Sequence, residues 1–334
     1  MASKFQELER IRLENLIKSG NPVFHGDKAG KLFMTKNRAF VLENNMNNIY
    51  SPIKTDVIDY FTKNNISWWR GNEPTGHVLS SQIACINHLF YLRHDKNAVM
   101  TILNNASTDF CDVLPIVTDS YNPAFIQFES VSDNDHLNEN ALTRGSNCTS
   151  IDALIYAIHN NGSKWLIPIE WKYTEYYNNT DKSIEDSDRK SLKYSKGDEA
   201  KGKERLDRYC YNKKGRLIDA SNYLKSLTEY RNSVYFFEPF YQLMRQTLWA
   251  EQMIKFKNNE RLKADNYLHL HIIPTENLDL LQKKYKCSGK NMESTWKDHL
   301  NDQSKYLIIS PKNFMTGLDK QKYGDLLNYL LTRY

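Results

Sequence analysis

Helix-like periodicity marks four stretches of the chain. Apolar residues recur at a spacing close to 3.6 over residues 1–19 and 53–63, and this spacing predicts an amphipathic helix in each. A third helix is predicted to begin at Ser80 or Ser81, whose hydroxyl would cap the first turn. The longest apolar stripe predicts a helix over residues 238–256.

Apolar runs of strand length occupy the middle and the last third of the chain. Strands are predicted over residues 125–131, 149–158, 165–173, 268–273 and 306–309. A turn signal, Asn160-Asn161-Gly162, separates the second strand from the third, so the first three strands are expected to form a meander. The order of helix, three strands, helix and further strands predicts an α/β or α+β domain with a mixed sheet.

The division into domains depends on length and on the lack of a linker. A chain of 334 residues suggests about two domains, or one large domain with additions. No tract rich in Pro, Gly or Ser separates residues 1–76 from the rest of the chain. We therefore predict a helical N-terminal extension, 1–76, packed on a main domain, 77–334, with a polar and basic insertion at about 178–216.

Composition excludes several classes of protein. Hydrophobic residues make up 40% of the chain and charged residues 25%, which is ordinary globular usage. No apolar run is long enough to span a membrane, and the charged N-terminus lacks the apolar core of a signal peptide. The five cysteines are widely spaced without a CxxC pair, which favours reduced thiols. We expect a cytoplasmic protein with no membrane partner.

Positive charge is concentrated in one segment. The whole chain carries a formal charge of +5, whereas residues 189–216 hold eleven Lys or Arg against four Asp or Glu. This segment can neutralise nucleic-acid phosphates, although such runs are also commonly solvated loops, and a loop that orders on DNA would satisfy both interpretations. The residues predicted to contact DNA are Lys190, Lys193, Lys196, Lys201, Lys203, Arg205 and Arg208.

The strongest candidate for chemistry is the triplet Glu170-Trp171-Lys172. Alternate side chains of a strand share a face, so Glu170 and Lys172 are expected to point the same way. Asp152 lies on the preceding predicted strand and approaches Glu170 if the two strands form a hairpin. Carboxylates are ligands for Mg²⁺, which can activate water for phosphodiester hydrolysis while a lysine orients that water or neutralises charge. A plain salt bridge on an edge strand explains the pair equally well.

Asp152 with Glu170-Trp171-Lys172 resembles the motif of the PD-(D/E)XK nuclease superfamily. More closely, the chain resembles a group of bacterial restriction-endonuclease-like proteins, from roughly residue 30 to the C-terminus. This likeness rests on four short blocks, which are residues 77–82, 149–154, 169–175 and 240–247. One departure is Ile151, which stands where the superfamily motif has proline.

The resemblance implies a fold and an activity. It implies an αβββαβ core and Mg²⁺-dependent cleavage of double-stranded DNA, with Mn²⁺ as a substitute ion, by a restriction-type or genome-defence endonuclease. Asp152 and Glu170 would bind the metal, and Lys172 would be catalytic. Cleavage of both strands would suit a homodimer. The alternatives are a catalytically inactive nucleic-acid-binding module with the same fold and, less favoured, a protein that binds a small ligand.

Several further side chains are weaker candidates. Glu129 could be an additional metal ligand or a charge at the end of a strand, and Gln82 could contact metal-bound water, DNA or only solvent. The spacing of His269 and His271 on one strand favours two surface histidines over a metal pair.

Three more residues are accessory candidates because they flank the motif or lie on the long helix. Tyr173 continues the motif strand, whereas Glu175 shares a face with Lys172 only if the strand bends. Arg245 and Gln246 lie on the helix that should pack near the site, and Arg245 is expected to bind a phosphate or form a salt bridge.

Overall fold

A computed structural model describes residues 3–69, 71–116, 122–139, 148–185, 200–211 and 216–334. The helices are α1 (Lys4–Lys18), α2 (Lys54–Lys63), α3 (Ser81–Leu89), α4 (Lys96–Ala106), α5 (Ala200–Leu206), α6 (Phe240–Lys255), α7 (Leu278–Leu281), α8 (Met292–Lys297), α9 (Pro311–Phe314) and α10 (Lys320–Arg333). The strands are β1 (Leu32–Phe33), β2 (Lys36–Asn37), β3 (Phe110–Leu114), β4 (Ile126–Ser130), β5 (Ile151–His159), β6 (Lys164–Trp171), β7 (Asn266–Tyr267), β8 (His269–Ile272) and β9 (Tyr306–Ile309).

The described residues form one seven-stranded mixed sheet and a small β1–β2 hairpin. Strands β4, β5 and β6 pair antiparallel in sequence order, which confirms the predicted meander. Strands β6, β8 and β9 run parallel, and β3 pairs with the second half of β5. Elements α3, β4, β5, β6, α6 and β8 follow the expected αβββαβ order, with α4, β3, α5 and β7 as additional elements between them. The mixed α/β fold class is confirmed.

The two faces of the sheet bury different sets of apolar residues. Ile169 and Trp171 belong to a cluster shared with the N-terminal helices, α3, α4 and α10. Leu154 and Leu166 belong to the cluster that contains α6. Because side chains alternate along a strand, Glu170 and Asp152 share the α6 face with Leu154 and Leu166. The meander therefore places both carboxylates beneath α6.

The N-terminal residues pack directly against the main domain. Leu13 and Phe61 lie in the same apolar cluster as α3, and the backbone N–H of Val78 donates to the carbonyl oxygen of Phe40 at 3.0 Å. From the other end of the chain, buried Arg333 donates to the carbonyl oxygen of Val78 at 2.6 Å. The boundary between residues 76 and 77 stays a prediction.

The sequence analysis did not predict α4, β3 or α10. Asp95 caps α4, and Val99, Ile102 and Leu103 form an apolar stripe from which this helix could have been predicted. Strand β3 is harder to recognise because a register shift after Phe110 interrupts its alternation. Among the described residues, no helix is both long and apolar enough to cross a membrane.

Candidate active site

Asp152 and Glu170 come together at one end of the β5–β6 hairpin. The last paired residues there are Ala153 and Ile169, and the two acids occupy the next positions. The Oδ2 atom of Asp152 accepts a hydrogen bond of 2.8 Å from the backbone N–H of Trp171. The structure thus brings the predicted carboxylates to one place through local strand pairing.

Glu170 and Lys172 form a buried ion pair that α6 supports. Their side chains are 2% and 6% exposed, which excludes the solvated edge-strand salt bridge. Lys172 Nζ donates to Glu170 Oε1 and also to Gln242 Oε1 at 2.7 Å, while Gln246 Nε2 donates to Glu170 Oε2. Gln242 was not predicted, although its i,i+4 spacing from Gln246 places both amides on one helical face.

The electrostatics of this group favour a bound cation. Burial, followed by the negative charges of Glu170 and Glu129, raises the pKa of Asp152 well above its usual range. Burial by itself would lower the pKa of Lys172. The effect of Glu170 and the other acidic groups nearby is larger, so the pKa of Lys172 lies well above its usual range. One ammonium therefore lies among three carboxylates.

A cleft of about 1140 Å³ opens beside these residues. Asp152, Glu129 and Gln246 are among the side chains that line it. Glu129 lies within the buried strand β4 and has a left-handed backbone (φ 48°). Its carboxylate accepts hydrogen bonds from Gln82 at 2.7 Å and Ser150 at 2.8 Å. Gln82 thus contacts an acid of the site and is not a solvated first-turn residue.

The donor set fits a hard divalent cation. Among the described residues, no group of three or more His, Cys, Asp or Glu side chains is arranged to hold a metal ion together. Mg²⁺ does not need such a group, because it is commonly bound by one or two carboxylates and completes its shell with water and phosphate oxygens. Asp152 and Glu170 would be the two carboxylates of such a site, and Glu129 lies close enough to Asp152 to influence its pKa.

One wall of the cleft is basic. Lys201, Arg205 and Arg208 line it, whereas Lys203 is exposed and does not. Gly202 allows this wall to pack closely, since a Cβ atom there would lie 2.2 Å from the carbonyl oxygen of Ser183. The remaining predicted DNA contacts, Lys190, Lys193 and Lys196, lie outside the described residues.

Arg245 forms a salt bridge, which was one of its two predicted roles. Its guanidinium donates to Glu139 Oε1 at 2.8 Å, and Glu139 also accepts hydrogen bonds from Tyr209 at 2.7 Å and Thr149 at 2.9 Å. Glu139 thereby joins α6, the residues before β5 and the π-helical turn Asp207–Tyr211, which contains Arg208 of the basic wall.

Tyr173 does not reach the site, and its prediction as an accessory residue is corrected. Its ring lies in the apolar cluster on the opposite face of the sheet, and its hydroxyl donates to Glu9 of α1 at 2.6 Å. The reason is strand alternation, since Tyr173 continues the face of Trp171 rather than that of Lys172. Glu175, which lies beyond the end of β6, does line the cleft.

The prediction that His269 and His271 are surface residues is wrong. Both are fully buried, because β8 lies inside the sheet with both faces covered. His271 pairs in register with Glu170, and its Nδ1 atom lies 2.8 Å from the Tyr306 hydroxyl. Burial and the charge of Lys172 lower the pKa of His269 to about 3, so its imidazole is neutral.

Comparison with known proteins identifies the family. The model of a family described as "Restriction Endonuclease associating with ARP" matches residues 10–334. The chain belongs to this family. The match covers the cleft, the β5–β6 hairpin and most of α1, and agrees with the resemblance to restriction-endonuclease-like proteins. No curated protein and no solved structure matches the chain.

We expect Asp152→Asn to stabilise this restriction-endonuclease family member in EDTA. The change puts a neutral amide in place of a carboxyl group whose ionisation is opposed by burial, Glu170 and Glu129, and the amide oxygen can still accept a hydrogen bond from the backbone N–H of Trp171. The free energy of unfolding in urea should rise by about 1 kcal/mol, as when strain at an active site is relieved. Added Mg²⁺ should then stabilise the wild type more than the variant.

Asp112→Asn is the control for this measurement. Asp112 is a surface acid that pairs with Lys96, so its loss should cost less than about 1 kcal/mol. A lower stability of Asp152→Asn than of the wild type in EDTA would show that the carboxylates do not repel one another.

Proposed function

We propose that this protein is a metal-dependent nuclease that hydrolyses phosphodiester bonds of DNA, with a restriction-type or genome-defence role. Membership of a restriction-endonuclease family supports nuclease chemistry. The observation that carries the proposal is the convergence of Asp152, Glu170 and Lys172 beside a cleft with a basic wall.

Each residue has a role in this proposal. Asp152 and Glu170 would hold Mg²⁺, and the bound ion would polarise the phosphoryl oxygen and make its water more acidic. Lys172, as an ammonium with three donors, would orient the attacking water and offset the charge that develops on phosphate oxygens. Gln242 and Gln246 limit the motion of Lys172 and Glu170 by binding both from one helix face.

The basic wall supplies the affinity for the DNA backbone in this proposal. Lys201, Arg205 and Arg208 face into the same cleft as Asp152. Each phosphate that they neutralise releases counterions, so the affinity for DNA should fall as salt rises. Arg205 also donates to Glu185 at 2.7 Å, a contact that holds its guanidinium in place along the wall.

Plasmid cleavage tests the proposal directly. Purified protein is incubated with supercoiled plasmid in Mg²⁺, in Mn²⁺ and in EDTA, beside Asp152→Asn. Nicked or linear product that requires the metal and disappears in the variant is the expected result. Cleavage by Asp152→Asn at the wild-type rate would refute the assignment, and salt-sensitive binding without cleavage would instead favour an inactive nucleic-acid-binding module.

A further inference from the structure

An aromatic cluster lines a part of the cleft to which neither α5 nor α6 contributes. Trp69 lines the cleft with 42% of its surface exposed, and His77 and Gln82 line it nearby. These residues belong to the N-terminal extension and to the start of the main domain. Asp152, Glu170 and Lys172 come from other segments of the chain, in and directly after the β5–β6 hairpin.

The Trp69 ring is supported from behind. Its centroid lies 5.8 Å from that of Phe33 in the β1–β2 hairpin and 5.7 Å from that of His77. Phe33 and His77 contact one another at 4.9 Å. A ring held by two others loses little further conformational freedom when it binds a ligand, and an indole that is 42% exposed offers apolar surface to the cleft.

A short chain of hydrogen bonds links this ring to the acids. The backbone N–H of Trp69 donates to Gln82 Oε1 at 3.1 Å, and Gln82 Nε2 donates to Glu129 Oε1 at 2.7 Å. A single amide group therefore separates the Trp69 backbone from a carboxylate that lies beside Asp152.

The chemistry of the cleft selects the ligand. The basic wall of Lys201, Arg205 and Arg208 suits phosphates, whereas Trp69 suits a flat ring, and one cleft contains both. Bases stacked inside a duplex do not present their faces, so a base that stacks on Trp69 has left its own stack.

We propose that Trp69, supported by Phe33 and His77, stacks on one unstacked nucleobase of the DNA strand whose phosphate would bind the Mg²⁺ held by Asp152 and Glu170. This proposal rests on the nuclease function proposed above and narrows its substrate to DNA with an unpaired or extruded base at the site of cleavage. Gln82 acts as a positioning residue, because it sets the spacing between the stacking ring and the acids.

The test combines protein variants with DNA variants. Binding is measured in Ca²⁺ on three duplexes that differ at one position: fully paired, with one extra unpaired nucleotide, and with an abasic nucleotide in place of that extra one. Trp69→Ala should weaken binding to the unpaired-base duplex about 10-fold, as expected for one base on an aromatic ring. Trp69→Phe should retain most of the affinity, because it keeps a ring.

The abasic duplex separates stacking from a general loss of structure. The wild type should bind the abasic duplex more weakly than the unpaired-base duplex, and Trp69→Ala should show no such difference, because the two changes remove the same contact. Tyr91→Ala is the matched control: Tyr91 is also 42% exposed but is not among the residues that line the cleft, and its affinities should be unchanged.

The outcomes distinguish this proposal from the nuclease proposal. If Trp69→Ala lowers the affinity for the abasic and the unpaired-base duplexes equally, and the protein cleaves DNA, base stacking is refuted and the nuclease proposal stands. If Trp69→Ala and removal of the base have non-additive effects on affinity but no DNA is cleaved in Mg²⁺, the nuclease proposal is refuted and the base-binding site stands. A wild type that neither binds nor cleaves any of the duplexes would overturn both.

Discussion

Replacing Lys172 by methionine is expected to lower the rate of DNA cleavage by about 10³-fold, within the range for loss of a positioned proton-transfer or charge-stabilising group. Methionine keeps much of the length of the side chain but removes the ammonium that contacts Glu170 and Gln242. The rate constant is measured on plasmid DNA in Mg²⁺ under single-turnover conditions, so that DNA affinity and product release do not enter it.

Loss of a buried cation also affects stability, and the control must account for this. Lys172→Met leaves Glu170 without its cation, so it should lower the free energy of unfolding by about 3 kcal/mol. Lys305 is a second buried lysine, paired with Asp302 and not among the residues that line the cleft. Lys305→Met should lose stability but cleave within a few-fold of the wild-type rate. Similar rate losses in both variants would mean that Lys172 acts through folding.

Arg245→Met is expected to lower the free energy of unfolding by about 3 kcal/mol, the loss typical of breaking a buried pair on one side. The Glu139 side chain is 4% exposed. Within the described part of the chain, removing Arg245 leaves its carboxylate with neutral donors, among them Tyr209 and Thr149. Unfolding in urea, monitored by circular dichroism, measures the change.

A double-mutant cycle and a surface pair complete this experiment. Arg245→Met with Glu139→Leu should lose less than the two single changes together, because the second change removes the unpaired charge. The exposed Arg261–Asp133 pair is the control, and Arg261→Met should cost less than about 1 kcal/mol. A loss from Arg245→Met as small as that from Arg261→Met would contradict a structural role for the buried pair.

Local sequence patterns were enough to predict the meander and the face on which the candidate catalytic residues lie. Strand alternation places Glu170 and Lys172 on one side, and a tight turn pairs β5 with β6, which brings Asp152 to the same end. These relations are local, since they involve a repeat of two residues and one hairpin. The long helix α6 was likewise predicted from its apolar stripe.

Tertiary structure alone decided what surrounds those residues. Gln242 bonds to Lys172 across 70 residues, and Arg245 to Glu139 across 106, and no local pattern specifies such partners. The same holds for the burial of His269 and His271, which depends on β9 covering the edge of β8. Alternation predicts which side chains share a face, whereas the packing of distant segments decides what that face contacts. For this reason the cleft, its basic wall and the position of Trp69 beside the acids emerged only from the folded chain.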